Sequence, residues 1–264
     1  MYYYITEPPR SREDQQAEEK IRELLIRTSI AGEFVVTSPT RGVEELAEMG
    51  VAKKYTTLVA VGSESLINQL GTLLAGTPYV FGAIPLARPN ALAFVNGIQT
   101  HEEAVEALKF RRVHSVPICR IEPNKFFISE LQLRASQDTA VRLRIDDALI
   151  EATCRRLHLT GSGRVILEHA QQAPTGAMNA LRRLFSRTQP QEQLTFSQFS
   201  GNIIAIETSQ PQPLYLGTEV FVRTPLAATV IHNSLKIITR RDTLAPLTDK
   251  KSEGTEVVFQ TNNW

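Results

Sequence analysis

The sequence is poor in the residues that build covalently or metal-held scaffolds. Its two cysteines, Cys119 and Cys154, are too far apart for metal-ligand spacing and read as reduced, buried thiols. The five histidines (His101, His114, His158, His169 and His232) fall at no ligand spacing, so no metal site is assigned. Net charge is nearly absent: Lys plus Arg total 29 against 28 Asp plus Glu, which argues against a domain-wide nucleic-acid footprint. No stretch approaches the roughly 20 apolar residues of a membrane helix. The apolar Tyr2 to Ile5 stops at Glu7-Pro8-Pro9-Arg10, too short for a secretory leader. Gly-x-Ser-x-Gly elbows, nucleophilic Cys–His pairs, internal repeats and low-complexity tracts are missing as well. What is left is the profile of a cytoplasmic soluble protein, whose 264 residues suffice for one large domain or two modest ones.

What is present is organised around Thr57 to Leu70. Leu58 to Val61 is a continuous apolar run, as a strand buried on both faces reads. A small-residue turn follows at Gly62 to Ser65, and Leu66, Ile67, Leu70, Leu73 and Leu74 then recur at helical spacing. At the carboxyl rim of a parallel sheet, such a strand–turn–helix directs helix N-terminal amides at anions. Most such units are nevertheless scaffold. Around it, strands at Tyr2 to Ile5, Glu33 to Thr37 and Tyr79 to Ile84 alternate with amphipathic helices over Arg12 to Arg27 and from Val43 to Val51. A short helix over Thr100 to Leu108 takes Thr100 as its N-cap. This alternation predicts a doubly wound α/β domain over residues 1–120.

From about Val113 the helical period gives way to short β-rich runs. They cover Val113 to Ile121, Lys125 to Leu133, Ala140 to Ile145, Ala148 to Thr153, Arg164 to Leu167, Asn202 to Glu207, Leu214 to Val222, Ala227 to Ile231 and Leu235 to Thr239. Turns are expected at Glu122-Pro123-Asn124 and His232-Asn233. An antiparallel β-sandwich over residues 121–242 is the expectation, followed by a flexible tail at 243–264. One helix interrupts near Ala177 to Arg187; its Arg182, Arg183 and Arg187 suit either a solvated face or an anionic membrane surface.

Three stretches carry a family resemblance: Gly62-Ser63-Glu64-Ser65-Leu66-Ile67-Asn68-Gln69, Ile84-Pro85-Leu86-Ala87-Arg88-Pro89-Asn90-Ala91, and Gly217-Thr218-Glu219 followed by Pro225 and Ser234 to Ile238. In order and spacing they resemble the motifs of the diacylglycerol kinase catalytic-domain family, which includes bacterial lipid kinases and sphingosine kinases. These motifs are Gly-Gly-Asp-Gly-Thr with Leu-Asn-Glu, Ile-Pro-Leu-Gly-Thr-Gly-Asn-Asp, and Asp-Gly-Glu. Asn124, Phe126 and Phe127 resemble the family's crossing into its second domain, and the likeness extends from Tyr2 to Arg240. It implies a nucleotide cleft between two domains, ATP and Mg²⁺ as cofactors, and a lipid hydroxyl as acceptor at a membrane surface. Glu64 and Glu219 would be the catalytic carboxylates. Gly62, Ser63, Ser65, Asn68, Arg88 and Asn90 would bind the nucleotide. A homo-oligomer is compatible with the same family.

The departures define a rival. Ser63 and Ser65 stand where the family has glycine, Glu64 where it has Asp, and Ala87-Arg88-Pro89 where it has Gly-Thr-Gly. Pro89 removes an N–H while Arg88 adds a cation. Asn68 equally suits a bond to neighbouring backbone, Asn90 a helix cap, Glu64 a favourable charge at a helix start, and Glu219 an exposed strand position. Phosphoryl transfer depends on positioning and charge neutralisation. The resemblance therefore implies either an ATP-dependent lipid kinase or a catalytically inactive relative that binds nucleotide, lipid or a protein partner. A small-molecule kinase of the NAD kinase type is the third reading.

Overall fold

Tyr2–Thr6 (β1), Gly32–Val36 (β2), Thr57–Gly62 (β3) and Val80–Pro85 (β4) form a parallel sheet in the order β2-β1-β3-β4. A computed structural model describes residues 1–86, 92–170 and 194–240 of the chain. Arg88, Asn90, the helix expected near Ala177 to Arg187 and the tail 243–264 lie outside the described residues.

Side-chain alternation along the strands explains why both sheet faces are covered. Tyr3, Ile5, Leu58, Ala60 and Phe81 point to one side and pack against Val43–Ala52 (α2) and Glu64–Leu74 (α3). Tyr2, Tyr4, Val59, Val61 and Ile84 point to the other, against Arg12–Arg27 (α1) and, after the short helix Ala93–Asn96 (α4), His101–Phe110 (α5). Local signals set the helix starts. Ser11 caps α1, and Thr100 with Glu103 closes a capping box on α5, as the expected N-cap requires.

The remainder is antiparallel: Arg112–Ile121 (β5), Lys125–Phe127 (β6), Glu130–Ile145 (β7), Ala148–Thr160 (β8), Arg164–Ala170 (β9), Leu194–Ser200 (β10), Ile203–Thr208 (β11), Pro213–Leu216 (β12), Glu219–Arg223 (β13) and Leu226–Thr239 (β14). Leu131, Leu133, Val141, Leu143, Leu157, Leu159, Val165 and Leu167 line its own core. Among the described residues, hydrogen bonding joins both halves into one 14-stranded mixed sheet, and it does not divide the antiparallel strands into separate sheets. Two long strands make that continuity. β7 pairs with β12 near Leu133 and with β11 from Val141 onward, its register shifting between Arg134 and Thr139. β14 pairs with β11 early and reaches β4 in parallel at Ile237↔Phe81.

Several boundaries differ from the sequence reading for local reasons. Asn233 takes positive φ within β14 as a register irregularity, where a chain-reversing turn is expected at His232-Asn233. The single run expected over Leu214 to Val222 splits at Gly217, which adopts φ +61°. Lys125 to Leu133 divides into β6 and β7, and β10 is a strand the apolar pattern does not reveal.

Candidate functional site

The crest of the parallel sheet is the place to look for chemistry. There β3 ends at Gly62, α3 begins, and the chain leaving β4 returns its Leu86 N–H to the Gly62 carbonyl at 3.0 Å. Ser63 is the N-cap of α3 at φ −70°, and its hydroxyl accepts the Leu66 N–H at 3.3 Å. The turn therefore needs no glycine at this position, and Ser63 sits there unstrained. A Cβ on Gly62 would lie 2.7 Å from Leu66 Cδ2 and 2.8 Å from Glu7 Oε1, so any larger residue there would push both side-chain ends aside.

Glu7 is the group that sequence reasoning missed. It follows β1, and its Oε1 accepts the Ser63 N–H at 2.5 Å, so a carboxylate of the chain itself occupies the amide at the start of α3. Its other oxygen accepts from Arg10 at 3.2 Å, and Arg10 also lies 3.8 Å from Glu219 Oε1 at the start of β13. The signal was available. Glu7-Pro8-Pro9-Arg10 leaves the carboxyl end of a parallel strand, the same rim at which Gly62 to Ser65 draws attention.

Glu64, the first residue of α3, faces the turn between β12 and β13. A Cβ on Gly217 would lie 2.9 Å from Glu64 Oε2, and the Gly217 carbonyl accepts from Arg134 at 3.1 Å. The fold thus brings Gly62, Ser63, Glu64 and Glu219 to one crest between the two halves. Ser65, in the first turn of α3, has its hydroxyl 3.4 Å from Gln69 Nε2. Asn68 faces elsewhere. It is 4% exposed, donates to the Phe126 carbonyl and accepts the Ile128 N–H, both at 3.0 Å. Its amide fastens α3 to the junction of β6 and β7. Arg88 and Asn90 fall outside the described residues.

The charge at this crest can be weighed against a polyphosphate. Among the described residues, Glu7 and Glu219 flank the Arg10 guanidinium, and Glu64 lies beside Gly217, whose carbonyl accepts from Arg134. A unit negative charge about 4 Å from one carboxylate is opposed by roughly 4 kcal/mol at an effective dielectric near 20. A helix N-terminus returns only about 0.3–2 kcal/mol. Among the described residues, the amide at the start of α3 already holds an internal carboxylate, that of Glu7. Among the described residues no three His, Cys, Asp or Glu side chains are placed to hold a metal ion, and no helix is long and apolar enough to cross a membrane.

No protein-family model and no curated protein matches this sequence. Solved structures do match its fold. A Bacillus anthracis str. Sterne protein described as a diacylglycerol kinase superposes with a TM-score of 0.63 at 13% identity, covering 92% of this chain and 98% of that one. A second structure from the same organism, provisionally assigned the same activity, gives 0.64 at 13% identity over 91% and 97%. The chain therefore has a diacylglycerol-kinase-like fold.

Proposed function

We propose that this protein is a non-catalytic relative of the diacylglycerol-kinase-like phosphotransferases, retaining their architecture to bind a lipid or a protein partner, and not a nucleotide, without turnover. The observation that carries the reading is the Glu7 carboxylate seated on the Ser63 amide. A phosphate arriving there must displace a partly buried, charge-assisted hydrogen bond and then sit beside Glu64 and Glu219. Losses at the transition state compound this. Phosphoryl transfer relies on cations and amides pre-aimed at the oxygens that gain charge. The fold similarity supports common architecture, with residues 1–120 as the nucleotide-domain counterpart and 121–242 as a sandwich-like second domain.

The competing reading is Mg²⁺·ATP-dependent phosphorylation of a lipid hydroxyl, and the near end-to-end fold match favours it. It requires Glu7 to leave the Ser63 amide, and Arg88 and Asn90 to supply phosphate contacts. The two readings part in one assay: γ-labelled ATP and Mg²⁺ incubated with the full chain and diacylglycerol-containing vesicles. The proposal expects no labelled lipid above the protein-free control. Labelled phospholipid that disappears with Glu64→Gln would establish the kinase instead.

A further inference from the structure

The parallel sheet ends at β2, and the backbone of that strand is used on one side. Its register with β1 runs unbroken from Gly32 to Val36. Just before the strand Ala31 accepts the Tyr2 N–H at 3.2 Å, and just after it Thr37 donates to the Thr6 carbonyl at 2.8 Å. Backbone groups of successive residues turn to opposite sides of a strand, so Glu33 and Val35 also direct theirs at β1. Gly32, Phe34 and Val36 therefore direct their N–H and C=O groups at the open edge, where nothing pairs with them among the described residues.

Sheet edges are commonly blunted by proline, lysine or a bulge, and β2 has none of these. Its last residue, Val36, is 49% exposed. Ile26, on the neighbouring helix α1, is 78% exposed. It lies one turn beyond Arg22, whose guanidinium sits 4.1 Å from the centre of the Phe34 ring and pairs with Glu18 at 2.7 Å. Glu33 is the strand's one charge, and Lys53 at the end of α2 neutralises it. The strand itself thus neither repels a copy of itself nor selects a charged peptide, and it presents unpaired backbone beside exposed aliphatic side chains.

We propose that β2 is a homodimer interface, at which β2 of a second copy lies antiparallel and joins the two sheets across a two-fold axis at Phe34. The register is self-complementary. Gly32 faces Val36 of the second copy, Phe34 faces its counterpart, and every outward N–H of one strand meets an outward carbonyl of the other. Glycine leaves room for the branched Val36, and the two Phe34 rings form a cross-strand aromatic pair. The axis also brings the two Arg22 side chains toward each other, each already held by its own Glu18. The contact consumes this edge on both copies, so association through it stops at two. The inference stands apart from the crest and does not depend on what the crest admits.

Sedimentation velocity of the full chain, diluted from about 100 µM, reads the association, since specific interfaces at the weak end dissociate in the micromolar range. Twice the chain mass of 29.5 kDa is expected at the higher concentration. Val36→Pro removes an outward N–H and no bond of the β1 ladder. Symmetry applies that loss twice, so the dissociation constant is expected to rise about tenfold or more, with the circular dichroism of the chain unchanged. Should the variant fail to fold, residue-resolved hydrogen exchange of the wild type serves instead. The amides of Gly32, Phe34 and Val36 are expected to exchange slowly in the dimer and freely in the diluted monomer, while those of Glu33 and Val35 stay slow in both. A monomer at 100 µM, a dimer that Val36→Pro leaves intact, or outward amides that exchange alike in dimer and monomer would overturn the proposal.

Discussion

The carboxylate of Glu7 lies 2.5 Å from the backbone N–H of Ser63, 56 residues along the chain. This contact ties the end of β1 to the start of α3 and supplies the negative charge that a helix N-terminus favours. Replacing Glu7 by Gln keeps the shape and removes the charge, and the pairing with Arg10 goes with it. Urea denaturation is expected to show a loss of about 1–2 kcal/mol. Glu7→Ala, which also leaves the amide without its partner, is expected to lose more.

Asn68 gives a second test of how rigidly the crest is held. Its buried amide satisfies one backbone acceptor and one backbone donor across the junction of the two halves. Truncation to Ala strands both in a buried setting, at about 1–3 kcal/mol each, discounted for relaxation. A destabilisation of about 2–4 kcal/mol in equilibrium unfolding is expected. Asp, which retains the acceptor for Ile128 N–H but not the donor, should fall between Ala and the wild type.

Acid stability should carry a signature from Glu102. The Lys20 ammonium, 2.6 Å away, and the backbone amide at the start of α5 hold this carboxyl down at about 2. A carboxyl with a depressed folded value contributes stability above its unfolded value near 4.5, and that contribution disappears as pH falls toward 2. The pair is half-exposed, so the amplitude should stay below about 1 kcal/mol. Glu102→Gln should flatten the slope between those pH values by lowering stability above pH 6 by that amplitude, and leave stability near pH 2 nearly unaltered.

Both cysteines should be inert in the native chain. Burial pushes the Cys119 thiol up to about 12, and burial, with the Asp138 charge adding to it, pushes Cys154 up to about 11. Thiolate is the reactive form, so iodoacetamide at pH 8 is expected to label neither until denaturant is added. Labelling of native protein at the rate of a free thiol would contradict the packing of the second core.

Much of the fold was legible because burial on both faces writes long apolar runs. Leu58 to Val61 and the spacing of Leu66, Ile67 and Leu70 predict β3 and α3 within a residue or so. Thr100 marks the start of α5 through its capping chemistry. The antiparallel half was harder to read. Its alternation marks strands but not register, so the irregularities at Arg134 to Thr139 and Ile231 to Leu235 leave no apolar signature. The crest was half legible. The turn at Gly62 to Ser65 stands out by composition, but its partners Glu7 and Gly217 arrive by tertiary contact from 56 and 153 residues away in sequence. The hydrogen bonds of Asn68 to Phe126 and Ile128 likewise depend on where those residues fall in the fold, which its own sequence neighbours do not reveal.

The most direct test is the melting temperature of the wild-type chain titrated with Mg²⁺·ATP to millimolar concentration. A ligand present at about 100 times its dissociation constant would stabilise the fold by about 2.7 kcal/mol. With Glu7 on the Ser63 amide, no shift is expected. A concentration-dependent rise that is lost in Glu64→Gln would mean that phosphate enters the crest, and the internal carboxylate would then be a gate and not a permanent occupant.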